Sequence, residues 1–186
     1  MSVFFWITIF SLITTLPVSA ETINVPHDFP TINGAVAHAK DGDIIEVEDG
    51  FYYEKNIVID KNIGLRSKNL YGAVIDGGGE FKASIFIVRA QCDISGFVLK
   101  NCYSGIIQRD SPDVTWTGRY LAVFNMIKDG IAINGRFGNL GAAELSNVLI
   151  SDAGCALTTN DARGINVKDS FIYNCNSVFT GSNHLY

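Results

Sequence analysis

The sequence predicts an all-β solenoid, a parallel β-helix with a short α-helix capping its N-terminal end. Three observations carry this expectation. The C-terminal half repeats itself at a spacing in the twenties. Each unit holds short apolar runs closed by Asn or Asp. An amphipathic helical pattern precedes the first strands.

The composition sets the frame. Of 186 residues, 47% are hydrophobic and 18% charged, which excludes a disordered chain. With 18 Gly and only 4 Pro, neither a collagen repeat nor a Pro-rich linker fits. The net charge of -5 argues against a nucleic-acid partner, which calls for a basic face.

The first element is not part of the fold. Val3 to Leu16 is mostly apolar but shorter than the roughly 20 residues of a bilayer span. Val18-Ser19-Ala20 before Glu21 resembles a signal-peptidase site. The expectation is a secretory signal over residues 1–20, and hence a secreted, periplasmic or cell-surface protein with no span after signal removal. No Lys or Arg precedes the apolar run, so an uncleaved anchor stands as the alternative. Export permits disulfides among Cys92, Cys102, Cys155 and Cys175 but does not require them.

Residues 21–54 form the expected cap region. Thr31 caps a helix of about ten residues after Pro30; Ile32, Ala35, Val36 and Ala39 share one face, and Gly42 stops it. Ile45 and Val47 then alternate with acids, a strand ending at Gly50. Ile57 and Ile59, Ile63 and Leu65, and Ala73-Val74-Ile75 continue as short strands, the last closed by Asp76-Gly77-Gly78-Gly79.

Residues 55–186 are expected to wind as coils. Four segments align, giving an apolar column of Leu99, Ile127, Ile150 and Ile172. Two residues later stands a turn column of Asn101, Asp129, Asp152 and Asn174, at steps of 28, 23 and 22 residues. A second short strand follows each, and there Cys155 aligns with Ile106, Ile131 and Val178 as a core residue. Units this short cannot be helix pairs, which need about 33 residues. Nor can one unit bury its own apolar side, so the units must stack. Asn and Asp tolerate left-handed backbone at turns, and stacked turns let each amide bond its copy in the next coil. That chemistry accounts for the column without a metal, and no cofactor is expected.

The phrase Phe29-Pro30-Thr31-Ile32, with Ala35, Ala39, Gly42-Asp43, Ile45, Val47, Gly50, Tyr52 and Glu54, resembles the opening of right-handed parallel β-helix proteins of the pectin-lyase-like superfamily. It is similar to the openings of pectinesterase-like and NosD-like members. Val74-Ile75-Asp76-Gly77-Gly78 and Ile94-Ser95-Gly96-Phe97 are also phrases of such coils. The resemblance implies a right-handed solenoid and a polysaccharide ligand, but that scaffold hosts many activities. The catalytic motifs of its esterases, hydrolases and lyases have no counterpart here, so the catalytic residues are unknown.

The long first step places a surplus in 109–119, where a loop leaving the coils can carry ligand contacts. Trp116 can stack on a sugar, while Arg109, Asp110, Asp113 and Arg119 can bond hydroxyls or carboxylates; the alternative is a solvated excursion with Trp116 folded onto the coil wall. Asp110 and Asp113 also suit an acid/base pair, though turn residues around Pro112 explain them equally well. His27, His38 and His184 are scattered and form no metal-ligand set. The reading is an exported module that binds polysaccharide or another extended ligand. A truncated lyase, hydrolase or esterase is one alternative. A structural or adhesive module that self-associates through its open C-terminal coil is another.

Overall fold

The computed structural model describes residues 19–109, 114–134, 141–160 and 162–182. Residues 1–18, and with them most of the expected signal, lie outside that set, as do Asp110 and Asp113.

The chain is a parallel β-solenoid of three faces. Numbered along the chain, the first face stacks β1 (Thr22–Val25), β2 (Ile44–Val47), β5 (Ile63–Ser67), β8 (Cys92–Ser95), β10 (Thr115–Arg119), β12 (Ala142–Ser146) and β14 (Gly164–Lys168). The second stacks β3 (Gly50–Tyr52), β6 (Ala73–Asp76), the first parts of β9 (Val98–Gln108), β11 (Ala122–Asn134) and β13 (Leu149–Asn160), then β15 (Phe171–Tyr173). The third stacks β4 (Ile57–Ile59), β7 (Ser84–Val88), the second parts of β9, β11 and β13, then β16 (Ser177–Ser182). Every pairing is parallel, so each residue meets its equivalent one rung away.

The core follows from period-two alternation along short strands. On the second face Ile75, Leu99, Val123 and Ile150 stack in register, all essentially buried. On the third face Ile57, Phe86, Ile106, Ile131 and Leu157 do the same. On the first face Ile23, Ile45, Leu65 and Ile94 are joined by Gly118 and then Leu145. Gly118 is required there. A Cβ would lie 2.8 Å from Leu145 and 3.1 Å from Trp116, whose ring fills the space.

At the N-terminal end α1 (Ile32–His38) buries Ile32, Ala35 and Val36 against the first strands. Thr31 Oγ1 accepts from Gly34 N at 3.1 Å, the cap the sequence indicates. The Glu54 carboxylate adds acceptors for Ile32 N and Asn33 N, both at 2.8 Å. The helix is seven residues rather than about ten, because Ala39 already has extended backbone (ψ 155°). Asp43 ties this end together, accepting from Glu21 N at 2.9 Å and Lys40 N at 2.8 Å.

Three register expectations are corrected. Val123, not Ile127, pairs with Leu99 and Ile150; Ile127 is 53% exposed. Asn125, not Asp129, continues the turn column: it has φ 53° beside Asn101 (54°), Asp152 (54°) and Asn174 (51°). Asp129 is buried on the next face, paired in register with Ser104 and Cys155. The cause is a bulge in β11 between Met126 and Asp129, which carries one residue more than either neighbouring strand. Leu157 holds the column position expected of Cys155, which is nevertheless buried.

Candidate functional site

The corner between the second and third faces is built from residues that must turn the chain sharply in every coil. Asn101, Asn125, Asp152 and Asn174 occupy it in left-handed backbone, a conformation Asn and Asp tolerate better than other side chains. Their side chains form a ladder along the coil axis. Asn101 Nδ2 donates to Asp76 Oδ2 at 2.8 Å, and Asn125 Nδ2 to Asn101 Oδ1 at 2.7 Å. Asn174 Nδ2 donates to Asp152 Oδ1.

Asp76 anchors the ladder beside a glycine turn. Gly78 and Gly79 have positive φ (71° and 70°). Gly78 N donates to Asp76 Oδ1 at 2.9 Å, and Gly79 N to the Asn101 carbonyl at 2.6 Å. Gly77 packs so closely on Cys102 that a Cβ would lie 2.6 Å from its Sγ. Burial works to raise the Asp76 pKa, but the Gly78 amide, the Asn101 amide and Lys100 outweigh it and hold it below the usual carboxylate value. Asp76 is therefore an ionised acceptor at neutral pH.

Three depressions share residues along this corner. One, of about 340 Å³, is lined by Thr31, Asn33, Tyr53, Glu54 and Lys55. The next also touches Tyr53, Glu54 and Lys55 and reaches Asp76 and Gly78. The third, of about 420 Å³, runs from Asp76 and Gly78 past Asn101 and Asn125 to Ile127. Together they make a groove parallel to the coil axis.

Exposed rings flank it. Tyr53 is 79% exposed. Phe51 faces out from the second face with Lys100 Nζ 5.4 Å from its ring centre. On the other flank Phe81 meets Tyr103 edge to face at 4.9 Å. Phe51 also begins an outward-facing apolar row, continued in register by Val74, Val98, Ala122, Leu149 and Phe171.

Of the residues singled out around 109–119, the described ones, Arg109, Trp116 and Arg119, do not converge. Trp116 is fully buried in β10, its Nε1 donating to Gln108 Oε1 at 3.1 Å, so it offers no face to a surface ligand. This overturns its expected role, and the reason is parity: Trp116 and Gly118 point inward, Thr117 and Arg119 outward. The Arg119 guanidinium is held by Asp93 and lines a shallow depression on the first face with Thr117, Glu144 and Lys168. Arg109 is exposed at the end of β9, on the third face. In the turn column Asn101, Asp152 and Asn174 stand where the repeat put them. Sequence reasoning missed Asn125, Tyr53, Asp76 and Ile127 as neighbours in one groove. Their signal was the recurrence of Asp or Asn at 76, 101 and 125, close to 25 residues apart.

Among the described residues no group of His, Cys, Asp and Glu is arranged to hold a metal ion. No described helix is long and apolar enough to cross a membrane. No family model matches the chain, and no curated protein matches it significantly.

Proposed function

We propose that this protein is an exported module that binds polysaccharide along the axial groove at the Asn corner. The observation that carries the reading is the continuity of three depressions, two of them lined by exposed Tyr53, with exposed Phe51 and Phe81 nearby. Aromatic rings offer apolar faces on which sugar rings stack, and a regular stack of rungs suits a repeating polymer. The apolar run and small residues before Glu21 support export, and the opening phrase at Phe29–Glu54 supports membership of the pectin-lyase-like superfamily. The reading needs no catalytic residue. Affinity electrophoresis of the secreted product through gels containing plant and bacterial polysaccharides tests it. Retardation by at least one polymer, lost in Tyr53→Ala, is expected; mobility unchanged in every gel overturns it. Release of reducing ends or unsaturated products from a retarding polymer would favour the enzymatic alternative.

The last described rung favours a second reading, self-association. Val178 and Phe179 are each 56% exposed, whereas Leu157, the register partner of Phe179, is buried. Among the described residues β14, β15 and β16 each pair on one side only, and such edges accept further strands. Light scattering that shows a larger species at high concentration, abolished in Phe179→Asp, supports this reading; a monomer throughout overturns it.

A further inference from the structure

The Asn corner presents acceptors rather than donors, and this follows from counting. Between the carboxylates of Asp76 and Asp152 the ladder has three junctions but only two amides, Asn101 and Asn125. A side-chain amide directs its NH₂ one way along the column and its oxygen the other. Two donors cannot serve three junctions. Asn101 serves the junction with Asp76, and Asn125 serves the junction with Asn101. The junction between Asn125 and Asp152 is left with oxygen on both sides. Turning Asn125 round, or both amides together, only moves the unserved junction along the column. Asp152 Oδ1 accepts from Asn174 Nδ2 and its Oδ2 from Ser151 Oγ, so the oxygen left unserved is that of Asn125, which is exposed and lines the groove.

The nearby cations are already matched. Lys100 lies 3.6 Å from Asp76 Oδ2 and over the Phe51 ring. Lys55 is paired with Glu80. Lys128 lies 3.4 Å from Asp129 and 6.0 Å from the centre of the Tyr103 ring. Lys82 sits over Phe81. Glu54 caps the amides at the start of α1. The corner thus shows acceptor oxygens with their charge largely offset, beside rings and the side chain of Ile127.

We infer that the groove selects an uncharged, hydroxyl-rich polysaccharide and discriminates against polyuronates, an inference that rests on the glycan-binding reading above. Hydroxyl groups donate to the unserved oxygen of Asn125, whereas a carboxylate brings only further acceptors. A polycation finds the carboxylates of Asp76, Glu80 and Asp129 already engaged by Lys100, Lys55 and Lys128.

Affinity electrophoresis with hydroxyethylcellulose and mixed-linkage β-glucan (neutral), polygalacturonate (anionic) and chitosan oligomers (cationic) tests this at two salt concentrations. The neutral polymers are expected to bind about tenfold more tightly than either charged class, with little response to salt. Ile127→Lys places a cation in the groove without touching the ladder. It should weaken neutral binding and strengthen polygalacturonate binding, while Ile127→Ser should weaken the first without the second. Preference for polygalacturonate or chitosan in the unaltered protein overturns the inference and leaves glycan binding standing. No retardation by any polymer overturns both.

Discussion

Trp116 Nε1 donates to Gln108 Oε1 at 3.1 Å inside the coil, and Gln108 Nε2 donates in turn to the Val114 carbonyl at 3.0 Å. The bond joins the third face to the first across the core. Gln108 occupies an inward position in register with Val88 and Ile133, so a polar side chain sits among apolar ones. It is accommodated because the indole N–H and a backbone carbonyl give it partners, as buried polar groups require. Trp116→Ala should destabilise the protein by about 3–5 kcal/mol in urea titration, the range for loss of a buried tryptophan. Trp116→Phe keeps most of the volume and loses the hydrogen bond, a loss of about 1 kcal/mol. Neither should alter the proposed glycan binding at temperatures where the fold persists. A surface ligand role for Trp116 gives the opposite pattern, lost affinity with stability intact.

Asn125 separates the two contributions to the corner, left-handed backbone and the side-chain ladder. Asn125→Ala forces an alanine to φ 53° and removes the bond to Asn101. Asn125→Gly removes the bond but accepts the backbone conformation. The alanine variant should therefore be the less stable by about 1 kcal/mol, the scale of the left-handed penalty. Equal stabilities in thermal unfolding would show that the ladder, not the backbone, dominates at this position.

Asn125 also shows where the sequence was legible. The cap was readable because Thr31, the Ile32–Val36 face and Gly42 act locally. The solenoid was readable because short apolar runs with recurring Asn or Asp can bury their faces only by stacking. Register in β11 was not. Both Val123-Phe124-Asn125 and Ile127-Lys128-Asp129 read as an apolar residue followed two places on by a turn residue. A one-residue bulge decides between them, and a bulge is set by contacts with the rungs on either side. The groove escaped the sequence for a related reason. Tyr53, Asp76 and Asn125 are neighbours only once three coils are wound, and none is unusual within its own segment. Trp116 is hard to place from the sequence because 109–119 reads as a loop, where parity carries no meaning.

The N-terminal end should be sensitive to acid. The Asp43 carboxylate accepts from the amides of Glu21 and Lys40, and these bonds hold its pKa below the usual value against the opposing effect of burial. Asp76 is depressed as well. A group with a lowered folded pKa contributes stability that is fully present above its unfolded pKa and lost as pH falls through the folded value. The contribution should hold above about pH 5 and decline below about pH 4, the ordinary Asp range. Asp43→Asn keeps one acceptor oxygen but cannot bond both amides through oxygen. Its unfolding midpoint should be lower than that of the parent at pH 7, with the gap closing toward pH 3. A gap that stays constant over that range would exclude Asp43 as a titrating support.

Four cysteines in a chain read as exported invite a disulfide assignment, and the coil geometry refuses one. Cys102 and Cys175 share a column but are three rungs apart, with Met126 and Ala153 between them. At about 4.8 Å per rung that separation is roughly 14 Å, twice the Cα distance a disulfide allows. All four thiols are free. Their environments differ enough to order their reactivity. Burial, reinforced by Asp93, pushes Cys92 up to about 12, and burial also raises Cys102. Around Cys155 burial acts the same way but is outweighed by hydrogen bonds from Ser177, Thr158 and Thr180, so its pKa is lowered. Cys175 is the one that is partly exposed. Since the thiolate is the reacting species, access and pKa together decide the rate. Iodoacetamide at pH 8 should modify native Cys175 first and Cys155 next, and should leave Cys92 and Cys102 unmodified. In urea without reductant, mass spectrometry should find four adducts, and a product with only two would mean that a disulfide forms and that the rungs are not stacked in this order.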